Sequence, residues 1–319
     1  MSLHEWKNDI RELSRDDGRY DYSDTRSAHG VQRQTRLLHM GPREAQELRS
    51  LNQGLKMTNE GVPDTLYIPL AARIYSTQMF PEYFSDSVSL RFKRDIPKSI
   101  TDGSSEYAML ASVARYYNTD RMEREFVKRN GRSSIIHLGT GLETAYCRLA
   151  DLPAHFYDMD LPEVIELRRS LLPESSNETL ISGDLFDMNW ANHIPDDLPV
   201  MILVLGVFQY FHEEEVVDVI RRMGSRFHGA ELVFDATSTK GLSYTNRYVK
   251  KTGNDSAAMY FAVDDPSGFA KKCGAELIEC RPFFTEARKI LRNKADLSTL
   301  ISMRFADKYG MVKLLRLRL

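Results

Sequence analysis

The residues best placed to do chemistry are one short run and one acid. Gly139-Thr140-Gly141 follows the apolar segment Ser134-Ile135-Ile136-His137-Leu138, and Asp160 lies 19 residues after Gly141. Glycines at the end of a strand let the chain turn tightly and let a ligand approach main-chain atoms. An acid closing the next strand at that distance is placed to grip the two hydroxyls of a ribose. The combination points to an adenosine-bearing cofactor. Thr144 stands where a dinucleotide fingerprint has its third glycine. That disfavours a pyrophosphate-bearing cofactor such as NAD. It suits S-adenosylmethionine, a sulfonium that has no phosphates. Asp184 closes a third strand, where adenine-side contacts fall in such folds.

Each of these residues also has a plainer reading. The glycines fit an ordinary strand-to-helix turn. Asp160 fits a helix N-cap, with Glu163 as capping-box partner and Pro162 in the first turn. Asp184 fits a loop Asp that ends a strand. Capping uses one carboxylate oxygen, so an acid can cap and bind a ribose together.

Elements must hold these residues in place. Residues 62–130 read as helical, with Asp64-Thr65 before Leu66 to Arg73 and Ser104-Ser105-Glu106 before a buried helical run. From residue 133 the period changes to alternating strands and helices. Strands are expected at 134–138, 155–160, 179–184, 200–207, 231–235, 275–279 and 311–319. Helices are expected at 142–150, 161–172, 213–227 and 265–273. This alternation means a mainly parallel sheet covered on both faces. The last strand, Met311 to Leu319, alternates Leu with Arg, so it is expected to have one wet face and to form the sheet edge. Spans 237–262 and 284–308 are too long for turns and are candidate substrate-covering insertions.

Composition narrows the class. The 319 residues carry 43 Lys and Arg against 45 Asp and Glu, a formal net charge of −2. No basic excess points to nucleic acid. The longest apolar run, Val200 to Phe208, has nine residues, whereas a membrane span needs about 20. The first residues show no secretory pattern. Cys147, Cys273 and Cys280 are too few for a disulfide framework, and no zinc spacing is present, so no metal is expected. A cytoplasmic protein is the expectation, with no nucleic-acid or membrane partner. The first sixty residues hold ten basic and ten acidic side chains and read as a polar N-terminal arm.

Ile136 to Leu149, followed by Tyr157 to Val164, resembles the leucine carboxyl methyltransferase family, and within it the tetracenomycin-type polyketide O-methyltransferase branch. Thr65 to Arg73, Gly206 to Val216, Val263-Asp264-Asp265-Pro266 and the terminal Leu-Arg-Leu-Arg-Leu are similar to further family motifs. The resemblance spans about residues 62–319. It implies a class I methyltransferase fold: α/β, Rossmann-like, with seven mostly parallel strands, the last antiparallel, and an N-terminal helical cap. It implies S-adenosylmethionine as cofactor. It also implies that Arg115, and Arg73 with it, holds the cofactor's carboxylate, the guanidinium fork matching that group. Gly139 and Gly141 match the cofactor loop, Asp160 the ribose acid, and Asp184 with Leu185 the adenine-side pair. One departure stands out. Leu205 precedes Gly206, where the family carries an acid that contacts the cofactor.

The implied activity is O-methylation of a small, polyketide-like carboxylate or hydroxyl. A carboxylate is already ionised at neutral pH, so no strong base is needed. For a hydroxyl acceptor, Tyr210 and His212 are the nearest base candidates; a packed Tyr and a helix-start His are their plainer readings. The competing readings are a nucleotide-dependent oxidoreductase, a protein C-terminal carboxyl methyltransferase and a non-catalytic relative, the last resting on Leu205. The expected organisation is a polar arm at 1–54, a helical cap at 55–132 and a methyltransferase core at 133–319.

Overall fold

The chain divides into two units, Met1–Pro63 and Asp64–Leu319. This computed structural model describes residues 66–94, 96–97, 100, 104–173, 175–251 and 259–319, without the side chains of 248–251. The polar arm at 1–54, the Asp64-Thr65 helix start and residues 252–258 of the first long span lie outside the described residues.

Seven strands form one sheet: β1 Ser133–Leu138, β2 Ala154–Asp160, β3 Glu178–Ser182, β4 Val200–Val204, β5 Glu231–Thr237, β6 Glu276–Pro282 and β7 Val312–Arg318. Their order is β3-β2-β1-β4-β5-β7-β6. Strands β1 to β5 pair in parallel, and β7 runs antiparallel to both β5 and β6. The order reverses between β1 and β4. Ligands of open parallel sheets bind beyond the carboxyl ends at such a point.

The strands are apolar because both faces are covered. On one face Ile135, Met201, Leu203, Val233 and Leu314 pack with Leu110, Val113 and Ala114 of helix α2, Glu106–Asn130. Helix α1, Tyr67–Met79, adds Leu70, Ala71 and Ile74 to the same cluster. On the other face Ile136, Leu138, Ile202, Val204, Leu232 and Phe234 form a second cluster. Strand side chains alternate between faces with period two, so neighbouring residues join different cores.

The later helices follow from their sequences. Helix α2 starts at Ser105, whose side chain accepts the Ala108 N–H. A short α3 covers Ala145–Arg148, and α4 covers Pro162–Leu171. Helix α5, Glu213–Arg226, buries Val216, Val219, Ile220 and Met223 at helical spacing against the second core. Its first turn holds three glutamates, which suit the positive end of a helix. Helices α6 Thr239–Lys251, α7 Pro266–Cys273, α8 Thr285–Ile290 and α9 Leu297–Lys308 complete the set. No helix among the described residues is long and apolar enough to cross a membrane.

Two expectations change. Strand β7 is not the edge: it lies between β5 and β6, and β6 is the edge strand. Its alternating arginine does not mark a wet face. Arg316 is 4% exposed and donates to Glu231 at 2.6 Å, with Glu125 and Glu279 also near. A charge is buried when it is paired, and acids from three elements pair this one. The helix expected at 142–150 shrinks to Ala145–Arg148. The carbonyls of residues 141–143 are taken by arginine side chains, so they accept no helical amide.

Both long spans carry helices: α6 in the first, α8 and α9 in the second. Ala287, Leu291, Met303 and Ala306 of the second span join the first core.

Candidate active site

The carboxyl ends of β1, β2, β4 and β5 converge on one cradle. The Gly139–Gly141 turn leaves β1, and both glycines have positive φ, 69° and 53°. A Cβ on Gly139 would sit 2.4 Å from Val207 Cγ2, in the loop after β4. Only a residue without a side chain lets the two loops approach so closely.

Asp160 closes β2. Its Oδ2 accepts the Gly141 N–H at 2.7 Å, and its Oδ1 accepts the Leu161 N–H at 2.8 Å. Burial pushes its pKa up, and the two backbone donors oppose that. Each oxygen keeps a further lone pair for a ligand hydroxyl. Asp160 is not the cap of α4: Leu161 occupies that position, and no side-chain cap is made. The carboxylate turns back toward the glycine loop instead.

Arg115 reaches the cradle from α2. Its Nη2 donates to Asp235 Oδ2 at 2.8 Å. Asp235 lies near the carboxyl end of β5 and accepts the Gly206 N–H on its other oxygen at 2.6 Å. Gly206 has φ 71°, and a Cβ there would lie 3.2 Å from Arg115 Nη1. Arg115 Nε is buried without a partner, and among the described residues no hydrogen bond is made by Nη1. Burial works against the charge of this guanidinium, but Asp235 more than offsets it and raises the pKa. Tyr210 lies close enough to add to that field.

Arg73 is placed differently from its expected role. Only 1% exposed, it donates to Glu143, Thr144 and the Leu142 carbonyl, the last at 2.5 Å. Both terminal nitrogens are thus engaged by the loop and its neighbours. Glu143 faces the same buried group. Burial opposes its ionisation, but Arg148 and Arg73 hold its pKa down to about 2.

The remaining residues sit at the rim. Asp184 Oδ1 accepts the Phe186 N–H at 2.8 Å, shaping the turn after β3, and Leu185 is buried beside it. Leu205 is half-buried and packs against the first core. Tyr210 is 38% exposed. His212 precedes α5, gives its backbone N–H to Glu215, and has its ring 4.7 Å from that of Tyr260. It is a helix-start residue, in keeping with its plainer reading.

Asp235 was not singled out from sequence. Its signal was present, as an acid ending the apolar run Leu232-Val233-Phe234 near the carboxyl end of a buried strand. Arg168, on α4, gives no signal in the sequence beyond its place on a helix.

The cradle fits an adenosylated amino acid. It offers a guanidinium with orphaned N–H groups, an acid with free lone pairs, and glycines where a Cβ has no room. Thr140 Oγ1 is also buried there without a partner. Among the described residues no cluster of three or more His, Cys, Asp or Glu side chains is set to hold a metal ion.

Comparison with known proteins agrees with this architecture. The chain is 28% identical over 239 residues to the S-adenosyl-L-methionine-dependent methyltransferase dpfgK of Gibberella zeae, covering 68% of this chain and 80% of that one. It is 25% identical over 195 residues to the tetracenomycin polyketide synthesis O-methyltransferase TcmP of Streptomyces glaucescens, covering 60% and 70%. A solved structure of a DUF574 family protein from Streptomyces avermitilis shares the fold, with TM-score 0.50 and 16% identity over 78% of this chain and 96% of that one. The profile of the leucine carboxyl methyltransferase family matches residues 69–224. Over that stretch the chain is similar to the leucine carboxyl methyltransferase family.

Proposed function

We propose that the protein is an S-adenosylmethionine-dependent O-methyltransferase that methylates a carboxylate or hydroxyl of a small, polyketide-like molecule. The observation that carries this reading is the Arg115–Asp235–Gly206 arrangement at the carboxyl end of the sheet. It presents a fixed guanidinium with unused N–H groups beside the glycine loop and the Asp160 carboxylate.

When bound, S-adenosylmethionine supplies an electrophilic methyl group on a sulfonium. Arg115 holds the amino-acid carboxylate through its free N–H groups. Asp160 accepts from the ribose hydroxyls while its backbone bonds fix its orientation. Asp184 and Leu185 border the adenine side. The loop glycines admit the cofactor against the main chain. Arg73 takes no part in binding and supports the loop. Leu205 leaves the Gly206 turn without the family's usual acid. Asp235 places an acid at that turn from the next strand.

The chain's contribution to rate is alignment and exclusion of water. An acceptor carboxylate arrives ionised and asks for no base. An acceptor hydroxyl must lose a proton, and Tyr210 and His212 are the rim residues available to take it. The helices of both long spans wall the acceptor side in this reading, within a helical cap at 55–132 and a core at 133–319. The reading includes a cytoplasmic setting, in which Cys147, Cys273 and Cys280 stay as the free thiols seen here.

A screen with methyl-labelled S-adenosylmethionine tests the reading. Aromatic polyketide acids and their phenolic analogues are set beside peptides with a free C-terminus. Label in a small molecule, and none in a peptide, is expected. Label in peptides alone would overturn the small-molecule assignment.

A further inference from the structure

Arg168 lies on α4, eight residues beyond Asp160, and belongs to none of the binding residues above. Its side chain is 1% exposed. Nη1 donates to two carbonyls of the glycine loop, Gly141 at 2.9 Å and Glu143 at 2.8 Å. Nη2 donates to Asp158 at 2.5 Å and Glu178 at 2.6 Å. The intervening Leu142 carbonyl is held by Arg73. Three successive carbonyls therefore end on buried guanidinium groups.

Five of the six amides from Gly139 to Thr144 are committed as well. Gly139 and Thr140 donate to the Met159 carbonyl at 2.9 and 3.1 Å. Gly141 donates to Asp160, Glu143 to the Thr140 carbonyl, and Thr144 to its neighbour Glu143's carboxylate. The Gly141 residue is thus gripped from both ends, its N–H by Asp160 and its carbonyl by Arg168. None of these bonds uses the cofactor. The shape is fixed by the chain itself.

We propose that Arg168 is a positioning residue for S-adenosylmethionine: it clamps the Gly139–Thr144 loop in its binding shape before the cofactor arrives. The inference rests on the cofactor assignment above. Its mechanism is preorganisation, in which a site already in its bound form loses less freedom on binding. The two acids that flank Nη2 anchor the guanidinium so that Nη1 stays on the loop. A lysine keeps one charge for those acids, but a single ammonium cannot span them and both carbonyls.

Two measurements test the clamp. The first compares S-adenosylhomocysteine affinity by calorimetry in the wild-type protein and Arg168→Lys. Arg168→Lys is expected to bind about tenfold or more weakly, the scale of one charge-assisted contact. The rise should appear in KM for S-adenosylmethionine and not in KM for the acceptor. An equal affinity in folded Arg168→Lys overturns the proposal. Absent binding by the wild type overturns the cofactor assignment instead, so the two failures are distinct. The second measurement needs no variant. Amide hydrogen exchange of wild-type residues 139–144 is followed with and without S-adenosylhomocysteine. The clamp predicts slow exchange already in the free protein. Fast exchange that slows only with ligand overturns it, even where Arg168→Lys does not fold.

Discussion

Asp235 and Arg115 are 120 residues apart in sequence and 2.8 Å apart at the cradle. The pairing joins the middle of α2 to the carboxyl-terminal part of β5. Asp235 also receives the Gly206 N–H, so one carboxylate sets both the direction of the guanidinium and the path of the loop after β4.

Asp235→Asn is expected to keep the fold and to lower kcat/KM for S-adenosylmethionine by ~10–100-fold. Charge-assisted hydrogen bonds contribute about 1.5–3 kcal/mol, and each 1.4 kcal/mol is about tenfold. Initial rates against cofactor concentration check this. A change of less than about twofold would mean that Arg115 needs no such partner.

Arg115→Lys is expected to raise KM for S-adenosylmethionine while changing kcat little. The contact is made to a part of the cofactor remote from the transferred group, so its loss weakens ground and transition states alike. Combined with Asp235→Asn, the effects should be less than additive, because the two side chains act as one unit.

Gly139→Ala is expected to destabilise the protein by about 1–2 kcal/mol from its left-handed backbone alone. The added Cβ would also meet Val207 Cγ2 at 2.4 Å. Adding Val207→Ala should recover the steric part and leave the conformational part. Urea denaturation of the single and double variants separates the two.

His137 lies in β1 behind the loop, with Nδ1 2.7 Å from Asp158 and Nε2 3.6 Å from Glu123. Burial lowers its pKa, but the two acids prevail and raise it to about 10. A group bound more tightly to its proton in the folded state stabilises fully below its unfolded pKa, near 6.5. That stability is lost as pH rises through about 10. The Tm difference between wild type and His137→Asn is therefore expected to be largest at pH values up to about 6.5 and to shrink as pH rises toward about 10. A constant difference would show that His137 is neutral in the folded protein.

The sequence made the site's strands legible for a physical reason. Ile135, Ile136, Met201, Ile202 and Leu203 are buried on alternate faces, and two covered faces leave a continuous apolar run. The glycine turn and Asp160 were legible because local geometry fixes their spacing. Arg115 with Asp235, and Arg168 with the loop carbonyls, were not. Those pairs form only when distant elements pack, and no local pattern records the partner. Strand β7 misled for a related reason. Its Leu/Arg alternation matched an edge, yet Glu231, Glu125 and Glu279 gather around Arg316 only in the assembled sheet. The motif around Arg73 reports its position and not its direction, so its bonds to Glu143, Thr144 and the Leu142 carbonyl were not legible either.

In the proposed function the cradle of Arg115, the glycine loop and Asp160 binds S-adenosylmethionine. Isothermal titration of the cofactor into the full chain tests it most directly. Saturable one-to-one binding is expected, and Arg115→Ala and Asp160→Asn should each weaken it by about tenfold or more. Absence of binding at millimolar cofactor, or binding that neither substitution alters, would contradict it.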